Sequence, residues 1–308
     1  MKGRDLLSVN DLNPEELNQI LRTALSFKRD GTPQVLAGKT IAMLFEKASL
    51  RTKVSFEVGM QQLGGSAIFL SQAEVGLGQR EPVQDIARVL SRYVSAIVVR
   101  TYSHRALEDL AEAADIPVVN ALSDDEHPCQ ALADLLTIRE KKGGLQGVRL
   151  AFVGDGNNVS ASLALAAGLA GMRFAIASPE GYWLPPAVLA AARNWANKTG
   201  GEIRTCVAPE DAVKNADVVY TDVWTSMGQE STRRQRMEAF TGYQVDKELM
   251  GLARQDAVFM HDLPAHRGEE TADDVIEGPQ SVVFDQAENR LHAQKALLAL
   301  IMGDFPQL

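Results

Sequence analysis

The sequence predicts an α/β protein made of two parallel-sheet domains of similar size. Short apolar runs alternate with amphipathic stretches along all 308 residues, and strands separated by helices form a parallel sheet covered on both faces. The alternation breaks once, at Lys141-Lys142-Gly143-Gly144, and then restarts. A chain of this length has room for two cores of ordinary size.

Taken in order, residues 14–29 place Leu17, Ile20, Leu21 and Leu25 on one helical face behind Pro14. Residues 39–45 are a buried parallel strand. Ser49 then stands at a helix N-cap, with Arg51, Thr52 and Lys53 in the first turn and Leu50, Val54 and Val58 on one side, before Gly64-Gly65 stops the helix. Residues 67–70 are a strand. Residues 71–81 are polar, carry glycine and lack a period, which predicts an exposed loop. Pro82 opens a helix bearing Val83, Ile86, Val89 and Leu90. A strand ends at Arg100, a helix covers 104–114, a strand covers 117–120, and a helix runs from Pro128 to about Glu140. After the break, a strand over 148–153 leads into Gly154-Asp155-Gly156-Asn157-Asn158 and a small-residue helix over 160–171. Strands near 173–178, 202–207, 217–221 and 257–261 alternate with helices near 186–197, 209–215 and 233–240. The last helix runs from about Gln286 to Met302, with Leu291, Leu298 and Ile301 on its apolar side.

Composition narrows the function. Hydrophobic residues make up 45% and charged residues 23% of the chain, as in soluble globular proteins. A net charge of -9 argues against nucleic acid or an anionic membrane as partner, and no stretch approaches a membrane span. The N-terminus has the look of no signal peptide. Cys129 and Cys206 are the two cysteines and nothing demands a bridge between them; no Cys/His cluster has metal-site spacing, so no metal is expected. A reducing cytoplasm is the simplest compartment.

Ligands are expected at the carboxyl ends of the strands, where polar residues cluster. At Ser49–Lys53, free N–H groups, a positive dipole end, two hydroxyls and two cations make a phosphate site, or else an ordinary capped helix with a solvated basic turn. Gly154-Asp155-Gly156-Asn157-Asn158 is half of a dinucleotide fingerprint. Its third glycine is missing and no acidic residue ends the next strand, so a βα turn with Asn side chains reaching a small polar ligand is the better reading. Arg100 ends a strand, and His127 and Gln130 share one helix tip. An imidazole and a guanidinium aimed at a carbonyl oxygen stabilise an oxyanion. The segment 221–228 offers Asp222, hydroxyls and free backbone amides for an amino-acid head group, or is a solvated turn. Pro264 makes a rigid turn that presents the Leu263 carbonyl. Arg290, taken alone, is a surface cation.

As an ordered set, Ser49-Leu50-Arg51-Thr52, Arg100-Thr101, His127-Pro128-Cys129-Gln130, Asp155-Gly156-Asn157-Asn158, Asp222 with Ser226-Met227-Gly228, His261-Asp262-Leu263-Pro264 and Glu288-Asn289-Arg290 resembles the ornithine carbamoyltransferases over essentially the whole chain. The resemblance implies a carbamoyl phosphate domain over 1–146, joined by a C-terminal helix over 290–308, and an ornithine domain over 147–289. It implies that Ser49, Leu50, Arg51, Thr52 and Arg290 hold the phosphate. Thr52, Arg100 and His127 would polarise the carbamoyl oxygen, and Gln130 with the Leu263 carbonyl would hold the carbamoyl amino group. Asn158, Asp222, Ser226 and Met227 would bind ornithine. It further implies a homotrimer, or a multiple of trimers, with active sites at subunit boundaries. No cofactor is expected, because carbamoyl phosphate is already activated.

Two departures from the family pattern stand out. Asp262 occupies the position where a cysteine is usual near the ornithine amine, which makes it a candidate catalytic residue. In the loop over 71–81, Gly76 stands where relatives often send a Gln or His into the neighbouring subunit, leaving Gln79 or Arg80 as substitutes. A different amine acceptor, or a ligand-binding paralogue disabled by Asp262, are the alternatives to ornithine carbamoylation.

Overall fold

Side-chain caps fix several helix ends. Asn13 accepts hydrogen bonds from the Glu15 and Glu16 N–H groups, and Glu16 bonds back to the Asn13 N–H, so α1 (Pro14–Asp30) starts in a reciprocal cap with proline at its first position. Ser49 caps α2 (Leu50–Gln62) by accepting from the Thr52 N–H, and Gly64 follows the helix at φ +83°. Asn157 caps α7 (Asn158–Leu169) through the Val159 and Ser160 N–H groups. The computed structural model describes residues 1–76 and 80–303. Gln79 and the chain beyond Gly303 therefore lie outside the described residues.

The chain forms two compact units, Met1–Leu136 with Glu288–Leu308, and Thr137–Ala287. The first holds a parallel sheet of β1 (Thr40–Phe45), β2 (Ser66–Ser71), β3 (Ala96–Arg100) and β4 (Val118–Leu122) in the order β2-β1-β3-β4. Its helices are α1, α2, α3 (Gln72–Val75), α4 (Val83–Leu90), α5 (His104–Ala113) and the first part of α6 (Pro128–Lys142). The second unit holds β5 (Arg149–Val153), β6 (Arg173–Ala177), β7 (Glu202–Cys206), β8 (Val218–Thr221) and β9 (Val258–Met260), all parallel in the order β7-β6-β5-β8-β9. With α7 come α8 (Pro186–Thr199), α9 (Pro209–Val213), α10 (Arg233–Ala239), α11 (Lys247–Met250) and α12 (Asp273–Ile276). The final helix, α13 (Val283–Met302), starts in the second unit and passes into the first.

Each sheet reverses its direction of growth once, between β1 and β3 in one and between β5 and β8 in the other. Loops diverge there and leave a crevice at the carboxyl ends of the strands. The loops after β1, β3, β5 and β8 carry most of the residues singled out above.

Three expectations need correction. On α2, Leu50 and Val54 face solvent, Leu50 being 76% exposed, whereas Thr52, Phe56, Gly59 and Met60 are buried. The helix is apolar on two sides, and the larger Phe56 and Met60 side chains take the core. Within 71–81, the Ser71 N–H and hydroxyl both donate to the Glu74 carboxylate at 2.7 Å, which closes Gln72–Val75 into α3. Gly76 follows in the left-handed region at φ 54°, a role glycine fills without a Cβ penalty. Finally, α13 starts at Val283, so Arg290 sits two turns inside the helix, and it is buried. Among the described residues no helix is long and apolar enough to cross a membrane. Cys129 and Cys206 are free thiols.

Helices α7 and α8 approach closely because α7 is rich in alanine and ends in Gly168-Leu169. A Cβ on Gly168 would lie 2.5 Å from the Ala192 carbonyl oxygen of α8. Alanine is favoured over glycine in a helix by about 1 kcal/mol, but overpacking against backbone costs about 1–3 kcal/mol. Gly168→Ala should therefore destabilise the protein, visible as a lower urea midpoint; an unchanged or higher midpoint would show that α7 and α8 can separate freely.

Candidate active site

In the first unit the carboxyl ends of β1 and β3 and the tip of α6 gather cations. Ser49 Oγ lies 3.0 Å from Thr52 Oγ1. Arg290 Nη2 donates to Thr52 Oγ1 at 3.1 Å and its Nη1 donates to Gln130 Oε1 at 2.6 Å. Gln130 Nε2 donates in turn to Asp134 at 2.8 Å, so both ends of its amide are engaged by the protein. Thr52, Arg100, His127, Gln130 and Arg290 are all buried. Arg51 is partly exposed in the first turn of α2. Leu50 points its side chain into solvent, so only its backbone N–H, at the helix start, can serve an anion there.

Burial, followed by the charges of Arg290, Arg100, Arg51 and Lys47, pushes the His127 imidazole well below its usual range. His127 is therefore a neutral N–H donor beside several cations. Lys47, which the sequence did not single out, is buried, pairs with Asp124 and lies 4.2 Å from the centre of the Tyr102 ring. Glu46 accepts from the Thr101 hydroxyl. In effect, a positive, partly desolvated surface surrounds a neutral imidazole.

The second unit gathers carboxylates instead. Asp222 follows β8, where its Oδ2 accepts from Asn157 Nδ2 at 2.7 Å and its Oδ1 from the Val223 N–H at 2.7 Å. Asp222, His261 and Asp262 place one ligand atom each within 4.8 Å of one another, with Asp262 Oδ1 3.6 Å from His261 Nδ1. Burial, and then the Asp262 charge, pushes Asp222 well above the usual carboxylate range. Arg267, a conceivable partner for Asp262, pairs with Asp273 at 3.1 Å and Glu277 at 2.5 Å. The trio has the donor atoms of a cation site, but both ring nitrogens of His261 are in use. Nδ1 accepts from the Leu263 N–H at 2.9 Å and Nε2 lies 3.1 Å from Glu270 Oε1.

Asn158 opens α7 and is half-buried. The turn at Ser226-Met227-Gly228 was expected to offer free amides. Instead Ser226 N–H donates to Gln229 Oε1 at 3.1 Å and Gly228 N–H to Glu230 Oε1 at 3.0 Å, because the flanking side chains fold back on it. Met227 is 49% exposed. Arg236, on α10, anchors this segment from beneath. Its Nη1 reaches Asp155 Oδ2 at 2.6 Å and the Trp224 carbonyl at 2.9 Å, with the guanidinium 5.0 Å from the Tyr182 ring centre. Gly156 is glycine because a Cβ would lie 2.3 Å from the Trp183 carbonyl carbon. That close approach is to the chain's own backbone and removes the dinucleotide reason for the glycine. Arg236 and Glu270 escaped the sequence reading, whereas Asn157 was read as part of the βα turn and here caps α7 and holds Asp222.

Comparison with known proteins finds two family models that together match most of the chain. The aspartate/ornithine carbamoyltransferase carbamoyl-P binding domain matches residues 4–140, and the Asp/Orn binding domain of the same family matches residues 146–301. The chain belongs to the aspartate/ornithine carbamoyltransferase family. It is 54% identical over 301 residues to the ornithine carbamoyltransferase of Acidothermus cellulolyticus, covering 97% of this chain and 96% of that one. It is 53% identical to that of Thermococcus kodakarensis, covering 98% of each. The solved ornithine carbamoyltransferase from Pyrococcus furiosus superposes with a TM-score of 0.95 at 52% identity over 99% of both chains. The structure from Gloeobacter violaceus does so with a TM-score of 0.90 at 48% identity, over 98% of this chain and 100% of that one.

His127 gives a pH test. Because its pKa is depressed in the folded protein, the unfolded chain binds a proton here that the folded chain refuses. Stability from this position is complete above the ordinary imidazole value of 6.5 and is lost as pH falls from there toward the depressed value. The stability difference between the parent and His127→Gln, from urea unfolding at pH 5 to 7.5, should shift against the parent by up to about 1.4 kcal/mol per pH unit below that value. Parallel pH dependences would mean that His127 titrates normally.

Proposed function

We propose that the protein transfers the carbamoyl group of carbamoyl phosphate to the δ-amine of L-ornithine, giving L-citrulline and phosphate. The observation that carries this reading is the split in charge: one unit gathers buried cations around a neutral imidazole, the other buried carboxylates. The first suits a phosphorylated carbonyl compound and the second an ammonium-bearing amino acid.

Ser49, Arg51, Thr52, Arg290 and the backbone N–H of Leu50 hold the phosphate. Arg100, His127 and Thr52 meet the carbamoyl oxygen, and Gln130 and the Leu263 carbonyl take the carbamoyl amino group. Asp222, Asn158, Ser226 and Met227 bind ornithine. The neutral δ-amine attacks the carbamoyl carbon with its lone pair. The oxyanion collapses, the C–O bond to phosphate breaks with its electron pair going to phosphate, and the proton released by the amine ends on the departing phosphate or solvent. The remaining catalysis is positioning and charge stabilisation, which needs no cofactor. Aspartate is a poor acceptor, since Asp222 and Asp262 repel its second carboxylate.

Assembly as a homotrimer, or a multiple of it, is part of the same proposal. The exposed Leu50 and Val54 on α2 and Ile68 on β2 support it, as apolar surface left for a second copy. Arg80, which donates to the Glu74 carbonyl at 3.1 Å, is the described candidate for a residue sent into a neighbour. A reducing cytoplasm suits the two free thiols.

A colorimetric citrulline assay across ornithine, putrescine, lysine and aspartate tests the function directly. Citrulline from ornithine alone is the expected result, and a different productive amine would reassign the acceptor. Arg51→Ala should lower turnover by about 10²–10³ at saturating carbamoyl phosphate with its melting curve unchanged. Turnover near the parent's would remove Arg51 from the chemistry.

Asp262 makes a further prediction. Next to Asp222 it adds a fixed negative charge that favours the charged ammonium of ornithine, which binds well and attacks poorly. A thiol, with a reference pKa of about 8.5, lacks that charge at neutral pH. Asp262→Cys should therefore raise turnover near pH 7 and move the optimum to lower pH. Superimposable pH–rate profiles would show that Asp262 does not tune the amine.

A further inference from the structure

The turn after β9 contains a polar pair that the carbamoyl-transfer chemistry does not use. His261 and Glu270 are both fully buried. The His261 N–H of the backbone donates to Gln286 Oε1 at 2.9 Å, and Gln286 Nε2 donates to the Tyr220 hydroxyl at 3.0 Å, so the backbone of residue 261 is anchored from α13 and β8. Its ring nitrogens have separate tasks. Nδ1 accepts from the Leu263 N–H at 2.9 Å, which puts the ring proton on Nε2, facing Glu270 Oε1 at 3.1 Å. Glu270 Oε1 also accepts from the His266 N–H at 2.6 Å. Two backbone N–H groups on either side of Pro264 are thereby tied to one buried side-chain pair.

Leu263 needs such a tie. Its φ is +60°, in the left-handed region that a leucine enters only when its surroundings over-determine it. Freed from the His261 ring, the Leu263 peptide would relax toward negative φ and swing its carbonyl. Glu270 fixes the ring tautomer: were the proton on Nδ1, the ring would oppose the Leu263 N–H instead of accepting from it.

We propose that the buried His261–Glu270 pair is a positioning device that holds the Leu263 backbone so that its carbonyl keeps the orientation the carbamoyl amino group requires. The proposal rests on the carbamoyl-transfer reading for the purpose of the carbonyl, but not for the geometry of the pair. The charged and titratable groups around it are Asp262, 3.6 Å from Nδ1, with the Asp222 carboxyl beyond it, and on the Glu270 side His266 and Glu269, whose ligand atoms lie within 4.8 Å of that of Glu270. That neighbourhood admits a rival role, in which the pair relays a proton from the amine through Asp262, and the two roles separate by substitution.

In Glu270→Gln the amide oxygen still accepts from Nε2–H and from the His266 N–H, whereas Glu270→Leu removes the acceptor. If the pair positions, Glu270→Gln keeps kcat within about threefold of the parent and leaves the pH–rate profile in place, while Glu270→Leu lowers kcat by about 10²-fold with the KM for ornithine nearly unchanged. Equal losses in both variants with a displaced pH profile would make the pair a relay and overturn the proposal. Full turnover in Glu270→Leu would reduce it to a packing feature, with the same consequence. Should Glu270→Leu not fold, His261→Asn tests the same link, since its amide oxygen can still accept from Leu263 N–H and should retain more turnover than His261→Leu. Nitrogen-15 NMR of histidine-labelled parent supplies a readout independent of activity: an Nε2–H tautomer at His261 supports the device and an Nδ1–H tautomer overturns it. A parent that makes no citrulline but shows the Nε2–H tautomer would fail the functional reading alone.

Discussion

The burial of Arg290 is the constraint on which the first unit depends. A guanidinium removed from water must have its donors satisfied, and three of its hydrogen bonds end on neutral oxygens. Thr52 Oγ1 and Gln130 Oε1 accept two of them. Gln294, with its amide oxygen turned toward the guanidinium and its nitrogen 2.6 Å from Ser55 Oγ, accepts from Nε at 3.2 Å. These neutral acceptors fix the geometry of the guanidinium while adding no negative charge of their own. Burial, with the Arg290 charge added to it, holds His127 well below the usual imidazole range, in a chain whose net charge is negative. Arg290 also ties α13 to α2 and α6 in this unit, so the same bonds that order the buried guanidinium secure the returning helix.

The second unit handles charge differently. Arg236 and Asp155 cancel each other at 2.6 Å, both largely buried, and the pair serves as scaffold for the segment that follows β8. Asp222 lies beside Asp262 and His261, and burial raises Asp222 before the Asp262 charge adds to the effect. A carboxyl pair of this kind carries its titration jointly. A cysteine at 262 would leave Asp222 with burial alone to raise it, so the substitution alters how the proton is shared more than whether a cation binds.

What was legible in the sequence follows from where the information is stored. Strand–helix alternation, Pro14 at the start of α1, the cap at Ser49, and the polar residues Arg100, His127 and Asp222 at strand and helix ends are local patterns, and each element formed within a few residues of where its pattern placed it. The buried face of α2 was not legible, because Leu50 and Val54 are as apolar as Phe56 and Met60 and only the tertiary contact distinguishes them. The helix at Gln72–Val75 was hidden by composition, since it is held at its start by the Ser71 N–H and hydroxyl donating to the Glu74 carboxylate. Arg290 read as a surface residue in isolation because its partners lie 160 and 238 positions away. Glu270 was invisible for the same reason in reverse: it stands in the polar run Arg267-Gly268-Glu269-Glu270, which has the composition of a solvated loop, and yet it is completely buried.

The contrast between Glu269 and Glu270 makes the physical point. Glu269 pairs with Arg233 at the surface, where solvent screens the interaction and its value to stability is small. Glu270, one residue on, turns inward to a histidine whose other nitrogen holds a strained backbone. Sequence patterns report which residue types can be buried at a profit to stability, and a carboxylate is the least favoured of them. Its burial therefore requires a compensating task set by geometry rather than by hydrophobicity. In this fold that task is to orient a peptide at the end of a strand, the same place at which the parallel-sheet architecture exposes backbone to ligands.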